Sequence, residues 1–313
     1  MTGRQAEQFD QAVQAMLDGR GEPHVEFSEL LAVCARLRDL PRVEFYESLG
    51  RSLERMNTST ATHPYRREGF KTVTPFIFVP QPGKLLDFLE AALGAVVTHR
   101  GPAPDAGFHG EVRLGRSMVM VGGGDAAVGR ELRASLHYFV EDVDAAYRQA
   151  VAAGAKLLLG REGEPADRPY GERSAFVEDP FGNQWFLAKR LDPQEARTGE
   201  MSPYLYPESA RVLIEFLEKA FGAESLGVYE HAGRVMHAAV RLGDSLVEMG
   251  EGPTFGPQAL SLYVEDPDAA YRSALAAGAT PLWEPKDQSY GERTAGVRDP
   301  FGNNWYPGRR IRA

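Results

Sequence analysis

The sequence predicts an α+β protein built from four strand–helix–strand–strand–strand units, because one pattern of motifs occurs twice along the chain. Residues 140–148 (VEDVDAAYR) recur as residues 264–272 (VEDPDAAYR), and the DPFGN segment of 179–183 recurs at 299–303. The spacing between the copies far exceeds the period of about 20–50 residues that is typical of solenoids. It therefore indicates a duplicated domain, in which each site of one copy has a counterpart in the other.

Each copy contains two such units, in which a run of strand-forming residues precedes a helical pattern and three more strand-like runs. We expect a helical hairpin as an N-terminal extension (1–56), a linker (57–70), a first domain (71–190), a bridge (191–200) and a second domain (201–313). Pro75 suggests that the first strand starts at a sheet edge, because proline cannot donate a hydrogen bond to a neighbouring strand.

Composition and charge narrow the range of partners. Hydrophobic residues make up 43% of the chain and charged residues 25%, which is ordinary for a globular protein. The formal net charge of −9 argues against nucleic acid and against an anionic membrane surface, because both require a basic surface. No apolar run is long enough to span a membrane, the first residues lack the apolar core of a signal peptide, and the single Cys34 permits no internal disulfide. We therefore expect a cytoplasmic protein.

Most residues of the repeated motifs are predicted to have structural roles, and each role is filled once per copy. The roles are a helix cap, the turn before a last strand, a core position and an ion pair that fixes a loop. The residues expected to fill them are, in that order, Asp142 and Asp266, Gly182 and Gly302, Trp185 and Trp305, and Arg173 and Arg293.

The ordered motifs resemble those of the vicinal oxygen chelate superfamily, which includes glyoxalase I, bleomycin-resistance proteins and extradiol dioxygenases. In both copies VEDxDAAYR is followed by AAGA, YGER and DPFGNxW, and the match extends over about residues 70–190 and 200–310. The resemblance implies two tandem domains, with the four βαβββ units paired into two cup-shaped mixed sheets that each surround one cavity. We expect the two units of one copy to share a cup.

The resemblance also indicates where a metal ion would be held, on the first and last strands of each unit. The corresponding residues here are Ser135, Ala259, Phe186, Tyr306, Met120 and Glu248. Glu248 alone is a family-like acid, far short of the three or four protein ligands of a catalytic zinc site. We therefore predict no cofactor. The alternative is a divalent metal ion held by His237 with Glu248, or by His109 with Glu111.

Period-2 alternation predicts which side chains line the cups. In residues 236–242, Ala238 and Val240 should face the helices, so that His237 and Arg241 face the cup. Together with the strand starts and the last-strand positions that the resemblance indicates, the complete predicted ligand-binding set is Phe76, Phe78, His109, Glu111, His137, Phe186, Tyr204, Tyr206, His237, Arg241, Glu248 and Tyr306. Aromatic walls with a few polar groups suit a planar or amphipathic organic ligand.

These residues favour metal-independent binding of a small organic molecule, with sequestration of an antibiotic as one form of that function. The alternative is an enzyme, a divalent-metal-dependent lyase, isomerase or dioxygenase, whose catalytic candidates are His237, Glu248 and His109. Either histidine is also suited to act as a general base, since the unperturbed pKa of histidine is about 6.5. A third hypothesis is that residues 1–56 dock a protein partner while the duplicated domains sense a ligand.

Overall fold

The computed structural model of the protein describes residues 63–103, 107–158, 163–195, 197–252 and 255–311. The predicted N-terminal helical hairpin, and with it the surface expected to dock a partner, lies outside these residues. None of the helices in this described part of the chain is long and apolar enough to cross a membrane.

The order of helices and strands confirms the four units. The first contains β1 (Val73–Val79), α1 (Pro82–Leu93), β2 (Val96–Pro102), β3 (Phe108–Leu114) and β4 (Ser117–Gly123). The second contains β5 (Ser135–Phe139), α2 (Val143–Ala152), β6 (Lys156–Leu157), β7 (Ala166–Arg168), β8 (Glu172–Glu178) and β9 (Gln184–Arg190). The third contains β10 (Met201–Leu205), α3 (Ala210–Phe221), β11 (Glu224–His231), β12 (Arg234–Leu242) and β13 (Ser245–Met249). The fourth contains β14 (Ala259–Tyr263), α4 (Pro267–Ala276), β15 (Thr280–Asp287), β16 (Glu292–Arg298) and β17 (Asn304–Arg310).

Each of the two mixed sheets combines units from both copies. The eight-stranded sheet has the order β15-β16-β17-β14-β1-β4-β3-β2, so it joins the fourth unit to the first. The nine-stranded sheet has the order β11-β12-β13-β10-β5-β9-β8-β6, with β7 beside β8, so it joins the third unit to the second. The joins are the antiparallel pairs β1–β14 and β10–β5. The expectation that the two units of one copy share a cup was therefore wrong. We call the face of the eight-stranded sheet that lies opposite the described helices cup A, and the corresponding face of the nine-stranded sheet cup B.

The two main hydrophobic cores, by contrast, are each built almost entirely from one copy. Ile77 and Trp185 lie in the core of the first copy, and Leu260 and Trp305 lie in the core of the second. The helices follow the same division, since α1 packs against α2 and α3 packs against α4. The helix layer thus keeps the two copies apart while the sheets join them.

A buried aspartate organises the turn before the last strand in each copy. Asp179 accepts hydrogen bonds from the backbone N–H groups of Phe181 and Asn183, both at 2.9 Å. Its second oxygen accepts from Asn183 Nδ2 at 2.8 Å and from Trp185 Nε1 at 3.1 Å. Gly182 completes the turn at a φ of 82°, which favours glycine. Trp185 is fully buried as a result, so that its predicted core position is confirmed.

The other structural roles predicted from the repeated motifs are also confirmed. The Asp142 side chain caps α2 by accepting from the N–H of Ala145, and Asp266 caps α4 in the same way. Arg173 forms two hydrogen bonds to Asp144, at 2.5 and 2.7 Å. The second copy repeats the contacts of Asp179 and Arg173. Asp299 accepts a hydrogen bond from Trp305 at 3.0 Å, and Arg293 donates to Asp268 at 2.5 and 2.7 Å.

The start of β1 is paired on one side only, which agrees with the prediction made from Pro75, although β1 as a whole is an interior strand. It lies between β14 and β4 in the eight-stranded sheet. Its pairing with β4 begins at Phe76, one residue after the proline, whereas Pro75 itself is opposite Leu260 of β14. The missing N–H therefore falls where only one neighbouring strand is paired, which explains why this strand tolerates a proline.

Candidate functional site

The structure divides the predicted ligand-binding residues between the two cups. Cup A contains Phe76, Phe78, His109, Glu111 and Tyr306, and cup B contains His137, Phe186, Tyr204, Tyr206, His237 and Glu248. Arg241 lies on β12, where it forms an ion pair with Glu224 of the edge strand β11. His109 and His137 belong to one copy in sequence, yet they lie in different cups because the sheets cross between the copies.

A buried network of ionised side chains lies in cup B. Nδ1 of His137 is 2.8 Å from a carboxylate oxygen of Glu248, and Nε2 is 3.5 Å from Glu172. Glu172 is also 3.4 Å from Nε of Arg190. The His137 side chain is 13% exposed, and the other three are 2–3% exposed. The network joins the second unit to the third, so it exists only because β5 pairs with β10.

The pKa values of the two cup B histidines move in opposite directions. Burial by itself would lower the pKa of His137, but the negative charges of Glu248 and Glu172 outweigh it and raise the pKa to about 10. Burial by itself would raise the pKa of Glu248, but His137 outweighs it and lowers the pKa to about 2. Burial lowers the pKa of His237. At neutral pH, cup B therefore holds an imidazolium at 137 and a neutral imidazole at 237.

Aromatic rings extend from this network toward the other end of cup B. The Tyr204 ring lies 5.6 Å from that of Phe186 and 5.0 Å from that of Tyr206, measured between centroids. Tyr206 also lies 6.0 Å from Phe255. Glu172 and Arg190 pair at one end of the β8–β9 ladder, whereas Tyr206 contacts Gln184 at the opposite end of β9. Cup B is thus ionic at one end and aromatic at the other.

Cup A has a different polar group, centred on Glu111. Both oxygens of Glu111 accept hydrogen bonds from Arg67, at 2.5 and 2.7 Å, and Nε2 of His109 is 2.8 Å away. Although burial would raise the pKa of Glu111, His109 and Arg67 lower it to about 2. Across the cup, Tyr306 stacks on Trp283 at 5.1 Å.

The side chains of neither cup fit a conventional metal centre. In both alternative metal-binding pairs, His109 with Glu111 and His237 with Glu248, the carboxylate already binds a positively charged side chain. Glu111 binds the guanidinium of Arg67, and Glu248 binds the imidazolium of His137. A positive neighbour disfavours a divalent ion at the same oxygen atoms. Within the described ranges, no group of three or more His, Cys, Asp or Glu side chains is placed to hold a metal ion.

Four charged residues of the cups were missed from the sequence. Alternation along β8 and β9 places Glu172 and Arg190 on the same face as Phe186. Extending the pattern to the ends of these strands would therefore have identified both residues. Arg67 and Arg197 lie in the irregular segments that precede β1 and β10. These segments have no periodicity, and the chain alone therefore contains no signal that these arginines reach into a cup.

Comparison with known proteins agrees with the fold and the duplication. The family model of the Glyoxalase/Bleomycin resistance protein/Dioxygenase superfamily matches residues 69–187 and 205–306. Uncharacterized proteins of Mycobacterium bovis and Mycobacterium tuberculosis are 37% identical over 127 residues, which is 36% of this chain and 84% and 75% of theirs.

Two solved structures are similar in fold over most of the chain. Glyoxalase I from Zea mays superposes with a TM-score of 0.60 at 17% identity, over 75% of this chain and 92% of that one. A putative dioxygenase from Bacillus subtilis gives 0.55 at 13% identity, over 75% and 83%. These two structures show the shared fold, and the family model, whose two segments cover more than half of the chain, shows that the chain belongs to the Glyoxalase/Bleomycin resistance protein/Dioxygenase superfamily.

Proposed function

We propose that the protein binds a small organic molecule in cup B and that it does so without a metal ion. The observation that carries this proposal is the buried ion pair between His137 and Glu248. Glu248 is the one acid at a position where metal-dependent members hold a ligand, and here it is bound to an imidazolium. The aromatic rings beside the ion pair, which include Tyr204 and Phe186, offer apolar faces to a planar ligand.

Sequestration of an antibiotic-like compound is the biological role that this proposal favours. Family membership is compatible with it but does not select it, because this fold supports several chemistries as well as plain binding. Cup B suits tight, non-reactive binding, since the His137–Glu248 pair is already formed and needs no rearrangement when a ligand enters. Native mass spectrometry of the purified full chain would reveal a co-purifying compound, and its absence from a Tyr204→Ala variant would place it in cup B.

Elemental analysis separates this proposal from the metal-dependent alternative. We expect the full chain, purified without tags or chelators, to hold far less than one equivalent of Zn, Fe, Mn, Ni or Co, even after incubation with each ion. His237→Ala and His109→Ala should not change the result. Near-stoichiometric metal that disappears in one of these variants would contradict the proposal and identify the cup that holds it.

A second candidate function, catalysis of proton transfer in a lyase or isomerase, is favoured by one observation. Cup B places a protonated His137 and a neutral His237 near the same carboxylate, Glu248. Two titratable groups with pKa values that are pushed apart form a typical acid and base pair. In this function His237 would accept a proton from the ligand, and the elevated pKa of His137 would keep it positively charged to stabilise a developing anion.

The protonation states behind this candidate are directly measurable. We expect nitrogen-15 NMR spectra of histidine-labelled protein to show His237 as a neutral imidazole at pH 7 and His137 as an imidazolium up to about pH 9, because Glu248 and Glu172 stabilise its charge. Assignment would come from His237→Gln and His137→Gln variants. An imidazolium at 237 would rule out its role as the base, and a neutral ring at 137 at pH 7 would rule out its role in stabilising an anion.

A further inference from the structure

Among the residues that the structure describes, the buried charges of cup B do not balance. His137 pairs with Glu248, and Arg190 pairs with Glu172. Arg197 is a third buried cation, 8% exposed, and neither of these two carboxylates forms an ion pair with it. Its Nη2 atom has no hydrogen-bond partner among the described residues. Within the described ranges, one positive charge is therefore left over in a part of the molecule where little water can compensate it.

Arg197 lies at the ionic end of cup B. Its guanidinium carbon is 5.3 Å from the centroid of the Phe139 ring, at the end of β5. The carboxylates of Glu248 and Glu172 act on it electrostatically without hydrogen-bonding to it. Glu200, which is also near, forms an ion pair with Arg116 at 3.1 Å.

Cup A shows what an arginine in this position binds when a carboxylate is available. Arg67 lies in the segment before β1 and Arg197 in the segment before β10, although the two do not align in the repeat. Both oxygens of Glu111 accept hydrogen bonds from Arg67. The surroundings correspond as well. Arg67 is acted on by Tyr263 and Glu292, whose counterparts by the repeat are the Phe139 and Glu172 found near Arg197.

The carboxylate itself has no counterpart in cup B. Residues 113–117 (RLGRS) match residues 241–245 (RLGDS), so that Glu111 corresponds to Ala239. Both residues are buried on the cup faces of matching strands, β3 and β12. In cup A the charge of Arg67 is therefore neutralised by Glu111, whereas cup B has the methyl group of Ala239 at the position that corresponds to Glu111.

We propose that cup B takes an organic anion, specifically a planar molecule with a carboxylate, and that this carboxylate binds Arg197 as Glu111 binds Arg67. The inference rests on the proposed function and names its class of ligand. A guanidinium and a carboxylate form two parallel hydrogen bonds, the arrangement already present in cup A. The aromatic end of the cup, with Tyr204 and Tyr206, would hold the planar body, and organic cations would be rejected by the surplus positive charge.

The first test needs no ligand. We compare Ala239→Glu with Ala239→Gln, two side chains of nearly equal size, so that the cost of the added volume cancels. Since Glu supplies the missing charge, its thermal midpoint at pH 7 should exceed that of Gln by about 2–4 °C or more. The order should reverse when Arg197→Gln is added to both, because the carboxylate then has no surplus partner. A lower midpoint for Glu than for Gln in the presence of Arg197 would overturn the inference.

The second test uses 1-naphthoate and its neutral analogue 1-naphthamide, titrated into the full chain by calorimetry. We expect naphthoate to bind at least about tenfold more tightly than naphthamide. This preference should be lost in Ala239→Glu and in Arg197→Gln, and it should persist in Arg100→Gln, which removes an exposed arginine paired with Asp87.

The outcomes separate the two proposals. Equal affinity for both probes, or a preference that survives Arg197→Gln, would overturn the anion inference and leave binding in cup B intact. If neither probe binds, the result counts against the proposed function, and the order of the Glu and Gln variants at position 239 decides the charge inference independently.

Discussion

Replacing Asp179 with Ala is expected to lower the free energy of unfolding by about 4 kcal/mol or more, one of the largest effects of any single substitution in the chain. The carboxylate receives four hydrogen bonds, from Phe181, Asn183 twice, and Trp185. Its removal leaves these donors buried without an acceptor, and each such group costs about 1–3 kcal/mol. It also frees the Trp185 indole, which is fully buried in the first core.

Urea unfolding followed by tryptophan fluorescence and circular dichroism would measure the effect. Asp179→Asn is the matched variant, because an amide keeps one acceptor oxygen and nearly the same volume, and we expect it to lose about half as much. Asp299→Ala should cost a similar amount, since Asp299 makes the same contacts in the second copy. A loss below about 1 kcal/mol for Asp179→Ala would show that the turn is held by the backbone alone.

The second large effect concerns alkaline pH. The pKa of His137 is about 10 in the folded protein and about 6.5 in an unfolded chain, so its contribution to stability is complete below about pH 6.5 and is lost as the pH rises toward 10. Each unit of raised pKa corresponds to about 1.4 kcal/mol, so the loss amounts to several kcal/mol. Glu248 acts in the opposite range: its contribution is present above about pH 4.5 and is lost as the pH falls toward 2.

The matched comparison is the double variant His137→Gln with Glu248→Gln, which removes both charges and leaves no ionised partner unpaired. Its free energy of unfolding should be nearly flat between pH 7 and 10, apart from titrations that it shares with the native chain. The native chain should lose stability over that range with a slope of up to about 1.4 kcal/mol per pH unit. Parallel curves for the two proteins would mean that His137 is not held as an imidazolium.

The features that were predictable from the chain are those whose partners are close in sequence. Asp142 caps the helix that follows it, and Gly182 lies in the turn before the last strand, so local spacing was enough to identify both roles. The shared strand face of Ser135, His137 and Phe139 likewise predicted His137 in a cup, and the family resemblance indicated Glu248 as a candidate. What the chain did not reveal is that these two meet, because 111 positions separate them and the contact depends on which unit pairs with which.

The same limit explains the arginines. Arg197 belongs to the bridge between the copies, a segment expected only to connect them, and its surroundings come from β5 and from the third unit. Its surplus charge becomes apparent only from the ion pairs that the described residues form around it. The substitution of Ala239 for the glutamate of the other copy was visible in the repeat, yet it had no meaning until Arg67 was seen beside Glu111.

The crossing of the sheets between the two copies has an evolutionary consequence. A protein with one copy would close such cups only by meeting a second molecule of itself, and the two compartments of that symmetric dimer would be identical at every position. Any mutation would then appear in both, so a gain in one could not be kept without the same change in the other. Fusion of the copies into one chain removes this constraint. Glu111 and Ala239 are an example: they occupy corresponding positions of the two cups, and after fusion the two cups could change independently.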